Sequence, residues 1–225
     1  MAEQQAKKGV IVEFDFAVAD GSTLLFKAAE KLLGEYEIPF TPRIEAQHLA
    51  GGNYQGGLAE YFNIVKTKKT AAKAAKDIAT LFAEAMTESF ASAVTDDFRA
   101  FVRTLLGRGL KVVVATRANM TVVKEALAEF LDTGAFALYE EISPTYGSVK
   151  WDDWRRAAAA NHLRSYLSIA VAGSGYSVKS ALLAGMGTIA VSNPRVAYQD
   201  FSGADDVVEK LNATVAEAIV KKLRA

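Results

Sequence analysis

Cysteine is absent from the 225-residue chain, and the only histidines are His48 and His162. Disulfides, thiolate metal sites and cysteine nucleophiles are therefore excluded, and a histidine-rich metal site is not expected. The 26 basic and 26 acidic residues give a formal net charge of zero, so nothing favours a nucleic acid as partner. No segment approaches the roughly 20 apolar residues of a membrane span, and the amino terminus has no apolar targeting core. We expect a cytoplasmic protein that binds neither nucleic acids nor membranes.

Five short runs that are apolar on both faces predict buried parallel strands. They lie at residues 9–14, 110–115, 136–142, 167–172 and 187–191. Helical patterns at residues 120–131, 151–162 and 177–184 alternate with the later strands. This alternation is typical of right-handed crossovers in a doubly wound sheet. The predicted fold class is α/β, with a Rossmann-like parallel sheet of about five strands and helices on both faces.

A long interval, residues 15–109, separates the first two predicted strands. Within it, apolar residues repeat at helical spacing at 24–33 and again at 69–94. A further helix predicted at 96–107 returns the chain to the sheet. We therefore predict an all-α cap over the carboxyl ends of the strands. The predicted boundaries are 23–95 for the cap, with 1–22 and 96–225 forming the α/β core.

Ligands of open α/β sheets bind at the carboxyl ends of the strands, so polar residues there are the functional candidates. Asp15 follows the first predicted strand, and Thr116 follows the second. Lys150 precedes the helix that comes after the third strand. The segment 173–175, Gly-Ser-Gly, follows the fourth strand, and it is either a small anion-binding nest or a glycine-rich turn.

These residues, in this order, resemble the haloacid dehalogenase-like (HAD) superfamily, and within it the phosphatase and phosphoglucomutase-like branch with an α-helical cap. The resemblance runs from about Val10 to Val191. It is strongest in Phe14-Asp15, in residues 114–116 (Val-Ala-Thr), and in residues 174–186, which end in Ala-Gly-Met.

The resemblance implies an aspartyl-phosphate mechanism in which Asp15 is the nucleophile and a ligand of Mg²⁺. It also implies that Thr116 and Lys150 neutralise the transferring phosphoryl oxygens. As residues that bind phosphate or substrate it suggests Ser174, Gly173, Arg117 and Arg43. The expected ligand is phosphate or a small phosphorylated metabolite, bound by a monomer or a homodimer.

The chain departs from the family pattern at two acids and at the Gly-Thr pair that the resemblance implies after the second acid, which here reads Val18-Ala19. Ala17 stands two residues after the implied nucleophile, where the resemblance implies a second acid. Gly173 stands after the fourth strand, where the resemblance implies a metal-binding acid. Mg²⁺ prefers several hard oxygen ligands, so we expect it to be bound weakly or not at all. General acid–base catalysis typically contributes about 10²–10⁴-fold, so we expect a weak or inactive phosphohydrolase, a pseudoenzyme that binds phosphate.

Two alternatives remain open from the sequence. In the first, Asp20 or Asp152 substitutes for a missing acid and the chain is an active phosphatase. Each aspartate also has a structural interpretation, Asp20 as a helix N-cap and Asp152 as a partner of a helix dipole. In the second, the chain is a metal-independent hydrolase of the dehalogenase type, in which Arg43 holds the carboxylate of the substrate.

Overall fold

The computed structural model describes residues 7–49, 52–143 and 149–224. In chain order its elements are β1 (Lys7–Glu13), α1 (Phe14–Ala17), α2 (Gly21–Glu35), α3 (Pro42–Ile44), a π-helical turn (Glu45–Leu49), α4 (Tyr54–Ile64), α5 (Ala71–Ala93), α6 (Asp96–Gly107), β2 (Lys111–Ala115), α7 (Met120–Ala126), α8 (Ala128–Leu131), β3 (Phe136–Tyr139), α9 (Trp151–Ala160), β4 (Leu163–Ala172), α10 (Gly175–Leu183), β5 (Gly187–Val191), β6 (Asp206–Val208) and α11 (Ala213–Arg224).

All paired strands are parallel, in the order β3-β2-β1-β4-β5-β6, which confirms the doubly wound sheet. The five predicted strands are present, although β3 ends at Tyr139 and β4 already begins at Leu163. The sequence pattern missed β6 because it is only 3 residues long and largely exposed at the edge of the sheet. The helix predicted at 120–131 is interrupted at Leu127, between α7 and α8.

The sheet separates two apolar clusters, because successive side chains of a strand point to opposite faces. Val10 and Val12 of β1 belong to the first cluster, together with side chains of α6, α11 and the helices α2, α4 and α5. Ile11 belongs to the second cluster, where Trp154 of α9 and Val178 of α10 pack. The central strand β1 is therefore covered on both sides, as expected for a parallel sheet.

The helices α2 to α5 occupy the interval in which the helical cap is predicted. The longest of them, α5, contacts the turn that follows β1: Phe90 stacks on Phe14 with ring centroids 4.1 Å apart, and Phe82 stacks on Phe16 at 5.6 Å. The interval therefore packs over the carboxyl end of the central strand. The boundaries of the cap remain a prediction. Across the described part of the chain, no helix combines the length and the apolar character needed to span a membrane.

Candidate functional site

Asp15 lies in the short helix α1, just beyond the end of β1, and its side chain is completely buried. Its Oδ1 atom accepts a hydrogen bond from the Thr116 hydroxyl at 2.6 Å. Its Oδ2 atom accepts from Nη1 of Arg117 at 2.9 Å, and the backbone N–H of Arg117 lies 3.2 Å from the same oxygen. The structure thus brings together three of the residues singled out from the sequence, and both carboxylate oxygens of Asp15 are engaged by protein donors.

Arg117 supplies a positive charge to this cluster from inside the protein. Its side chain is only 6% exposed, and its guanidinium lies 5.9 Å from the centroid of the Phe82 ring. An arginine keeps its charge at every pH that a protein tolerates. Asp15 and Arg117 therefore form a buried ion pair, in which removal of either partner leaves an uncompensated charge.

A second buried carboxylate, which the sequence interpretation missed, belongs to Glu13, the last residue of β1. Its Oε1 atom accepts from the Ser177 hydroxyl at 2.7 Å and from the Val149 N–H at 3.1 Å. Its Oε2 atom accepts from the Gly173 N–H at 2.9 Å. Burial raises the pKa of Glu13 to about 7 and outweighs these donors and the charge of Arg117.

The signal for Glu13 was present in the sequence. Glu13 and Asp15 are acids two residues apart, at the end of the first apolar run. The strand was predicted to extend to residue 14, which made Asp15 the strand-end acid. In the structure the backbone turns into α1 at Phe14, so that Glu13 is the carboxylate at the end of the strand.

Gly173 lies where β4 meets α10, against the backbone of α1. A Cβ atom at this position would lie 2.1 Å from the carbonyl carbon of Phe16, so any side chain would collide with main-chain atoms. A metal-binding carboxylate cannot be accommodated here in this conformation. The neighbouring Ser174 is the N-cap of α10, and its hydroxyl accepts from the Ser177 N–H at 3.1 Å.

The other candidate residues belong to different elements. Lys150 is the residue after Val149 and precedes α9, where its N–H donates to Asp153 at 3.2 Å. Arg43 is exposed in α3. Asp20 is the N-cap of α2 and accepts from the Thr23 N–H, as the structural interpretation of that residue required. Asp152 forms an ion pair with Arg156 at 2.8 Å.

A cavity of about 50 Å³ lies between the helical interval and the carboxyl ends of β1 and β4, and Ser174 is part of its wall. Arg195 and Glu45 of the π-helical turn both line it and form an ion pair at 2.6 Å. Tyr54 also lines it, and its hydroxyl is buried with no hydrogen-bond partner among the described residues. Burial raises the pKa of both Glu45 and Tyr54, while Arg195 opposes this effect.

The donor set around Asp15 does not fit Mg²⁺. This ion requires several oxygen ligands in near-octahedral geometry, but the oxygens of Asp15 and Glu13 are engaged by protein donors. Gly173 offers neither a carboxylate nor space for one. Within residues 7–49, 52–143 and 149–224, no group of three or more His, Asp or Glu side chains is arranged to hold a metal ion.

Comparison with known proteins gives matches only at the level of structure. No protein-family model matches the chain, and no curated protein matches it. Among solved structures, β-phosphoglucomutase from Clostridium difficile is similar with a TM-score of 0.71 at 13% identity, over 97% of both chains. CbbY from Rhodobacter sphaeroides, in complex with phosphate, has a TM-score of 0.66 at 14% identity, over 91% of this chain and 94% of its own.

A hydrolase from Pseudomonas syringae is similar with a TM-score of 0.64 at 16% identity, again over 91% of this chain and 94% of its own. Similarity at such low identity over nearly the whole length establishes the fold and leaves the activity to be argued from the site. The chain therefore shares its α/β fold with these solved structures, a β-phosphoglucomutase among them.

Proposed function

We propose that this protein binds phosphate or a small phosphorylated metabolite and has little or no phosphohydrolase activity. The observation that carries the proposal is the engagement of both Asp15 oxygens by Thr116 and Arg117. A carboxylate that attacks phosphorus must present a free oxygen to the substrate. In Asp15 neither oxygen is free, because Thr116 donates to one and the charged Arg117 donates to the other.

The groups that would assist the attack are missing or already engaged. Gly173 stands where the resemblance implies a metal ligand. Because β1 ends at Glu13, the acid two residues after the strand end is Asp15 rather than Ala17, and Asp15 is held by Thr116 and Arg117. The substitutes considered from the sequence have other partners, since Asp20 caps α2 and Asp152 pairs with Arg156. These contacts favour a binding protein over an active phosphatase. The proposal involves neither nucleic acid nor membrane and holds for a monomer or a homodimer.

The cavity beside Ser174 supports the binding part of the proposal. Since one water molecule needs roughly 10–15 Å³ of such space, the 50 Å³ cavity has room for a few waters or a small anion. Arg195, the hydroxyls of Ser174 and Tyr54, and the start of α10 provide hydrogen-bond donors for an anion. Of the solved structures with this fold, CbbY carries phosphate in one crystal and xylulose-1,5-bisphosphate in another.

Two measurements on the same preparation test the proposal. Hydrolysis of p-nitrophenyl phosphate in magnesium is expected to be no faster for the wild type than for Asp15→Asn. Calorimetric titration with inorganic phosphate is expected to show binding that is lost in Arg195→Gln and kept in Asp15→Asn. Turnover that depends on Asp15 would instead establish an active phosphatase, and wild-type protein that takes up no phosphate would contradict the binding role.

A further inference from the structure

We infer that the guanidinium of Arg117 is a built-in replacement for the divalent cation implied at Asp15, so that this end of the sheet is neutralised without a metal. The inference rests on the proposed function, because an active phosphatase would need the cation for phosphoryl transfer. It goes beyond the proposed function because it names the group that neutralises the carboxylate in place of the cation.

The geometry places the positive charge of Arg117 directly at the carboxylate. Nη1 lies 2.9 Å from Oδ2 of Asp15, with the two side chains 6% and 0% exposed. Charge-assisted hydrogen bonds of this length are roughly twice as strong as neutral ones. The backbone N–H of Arg117 donates to the same carboxylate at 3.2 Å, so one residue supplies both a charged and a neutral donor to Asp15.

The space that further metal ligands would need is filled by the protein itself. The backbone of Phe16 abuts Gly173, and the Gly173 N–H donates to Glu13. The Ser177 hydroxyl donates to the other oxygen of Glu13. A bare divalent ion would have to break these hydrogen bonds and displace Arg117 before it could reach two carboxylates. Because magnesium gives up its water reluctantly, this exchange is unfavourable.

The test compares the midpoint of thermal unfolding in millimolar magnesium chloride and in EDTA. The wild-type midpoint is expected to be the same in both solutions. Arg117→Met, which keeps a long unbranched side chain but removes the charge, leaves Asp15 ionised and buried. Its midpoint is expected to fall by roughly 10 °C in EDTA and to recover partly in magnesium, which can now approach the carboxylate.

Two control variants separate charge from packing. Asp15→Asn/Arg117→Met has no charge at either position, so its midpoint is expected to be insensitive to magnesium. Arg117→Lys keeps the cation and is expected to resemble the wild type. If Arg117→Met does not fold in EDTA, the yield of refolded protein in magnesium replaces the midpoint, and a higher yield supports the inference.

Three results would overturn the inference: a wild-type midpoint that rises with magnesium, an Arg117→Met midpoint equal to that of the wild type in EDTA, or an Arg117→Met variant that magnesium leaves unchanged. The measurement uses no substrate, so failure of the inference can be distinguished from failure of the proposed function. Turnover of p-nitrophenyl phosphate by a wild-type protein that is insensitive to magnesium would overturn the proposed function alone.

Discussion

At the scale of single residues, two carboxylates at the end of β1 are kept in the interior by different means. Asp15 is paired with the permanent charge of Arg117 at 2.9 Å. Among the described residues, Glu13 accepts hydrogen bonds from neutral donors, and burial raises its pKa to about 7. A buried carboxyl group without a direct ionic partner favours its neutral form. The two acids therefore differ in how their stability responds to pH.

From the raised pKa of Glu13 we predict that the protein loses stability as the pH rises towards neutrality. The folded-state pKa of Glu13, about 7, lies above the ordinary value of 4.5. The stability that protonated Glu13 contributes to the folded state is therefore fully present below about pH 4.5 and is lost as the pH rises through about 7. The expected loss is on the order of 3 kcal/mol. Urea titrations at a series of pH values measure the free energy of unfolding, and Glu13→Gln is expected to flatten the profile. Parallel profiles for the two proteins would contradict this prediction.

The charge of Glu45 is expected to weaken the binding of phosphate in the cavity. Glu45 pairs with Arg195 at 2.6 Å and places a carboxylate beside the proposed phosphate position. Glu45→Gln removes this negative charge and leaves Arg195 available to the anion. We expect the affinity for phosphate to rise about tenfold, because removing the repulsion of one close negative charge changes the binding free energy by an amount that corresponds to about a tenfold change in affinity. Calorimetry measures the change, and Arg195→Gln is the opposing control. Affinity that is unchanged in Glu45→Gln would place phosphate elsewhere.

At the scale of elements, the contact between β4–α10 and α1 decides what position 173 tolerates. A Cβ atom there meets the main chain of Phe16 at 2.1 Å, and main-chain atoms cannot move aside cheaply. Gly173→Ala is therefore expected to destabilise the protein by about 3 kcal/mol or more. The matched control is Gly34→Ala in α2, where a Cβ meets nothing within 4 Å. This control is expected to stabilise the helix by roughly 0.5–1 kcal/mol.

Urea denaturation of both glycine variants measures these effects. If Gly173→Ala were as stable as the wild type, α1 would have to be able to move away from β4. The backbone would then leave room for a side chain at position 173, and a carboxylate introduced there could reach Asp15 and restore a metal ligand.

The elements that the sequence predicted well are those whose pattern is long or fully apolar. The helix predicted at 96–107 has the same bounds in α6, and the pattern at 69–94 contains α5, because an apolar face repeated over several turns is unambiguous. Thr116 could be placed near Asp15 because carboxyl ends of parallel strands meet at one edge. The pairing of Arg117 with Asp15 was not predicted, since Arg117 was expected to bind phosphate or substrate. Glu13 was missed because an apolar pattern does not fix a strand end to within two residues. The packing of Gly173 against Phe16 depends on distant segments and has no local signal.

At the scale of the whole molecule, the helical interval and the sheet share one apolar cluster. Val12 of β1, Phe98 of α6 and Phe90 of α5 belong to it. Phe14 stacks on Phe90 and meets Phe98 edge to face. Inserted helices that move freely would need an interface with few buried apolar contacts. The shared cluster therefore favours a protein that unfolds in one cooperative step, with the helices closed over the carboxyl ends of the strands.

Truncation of the central aromatic contact tests this cooperativity. Phe90→Ala removes a completely buried ring stacked on Phe14 and is expected to cost about 3–5 kcal/mol. Because the cluster is shared, amide hydrogen exchange is expected to accelerate equally in α4 and in β1, although neither contains the substitution. Ile64→Ala, at a side chain that is 58% exposed in α4, is the control and is expected to change stability by less than about 0.5 kcal/mol. Faster exchange confined to α4 and α5 would mean that the helices open independently of the sheet, and the cavity beside Ser174 would then be accessible to ligands much larger than phosphate.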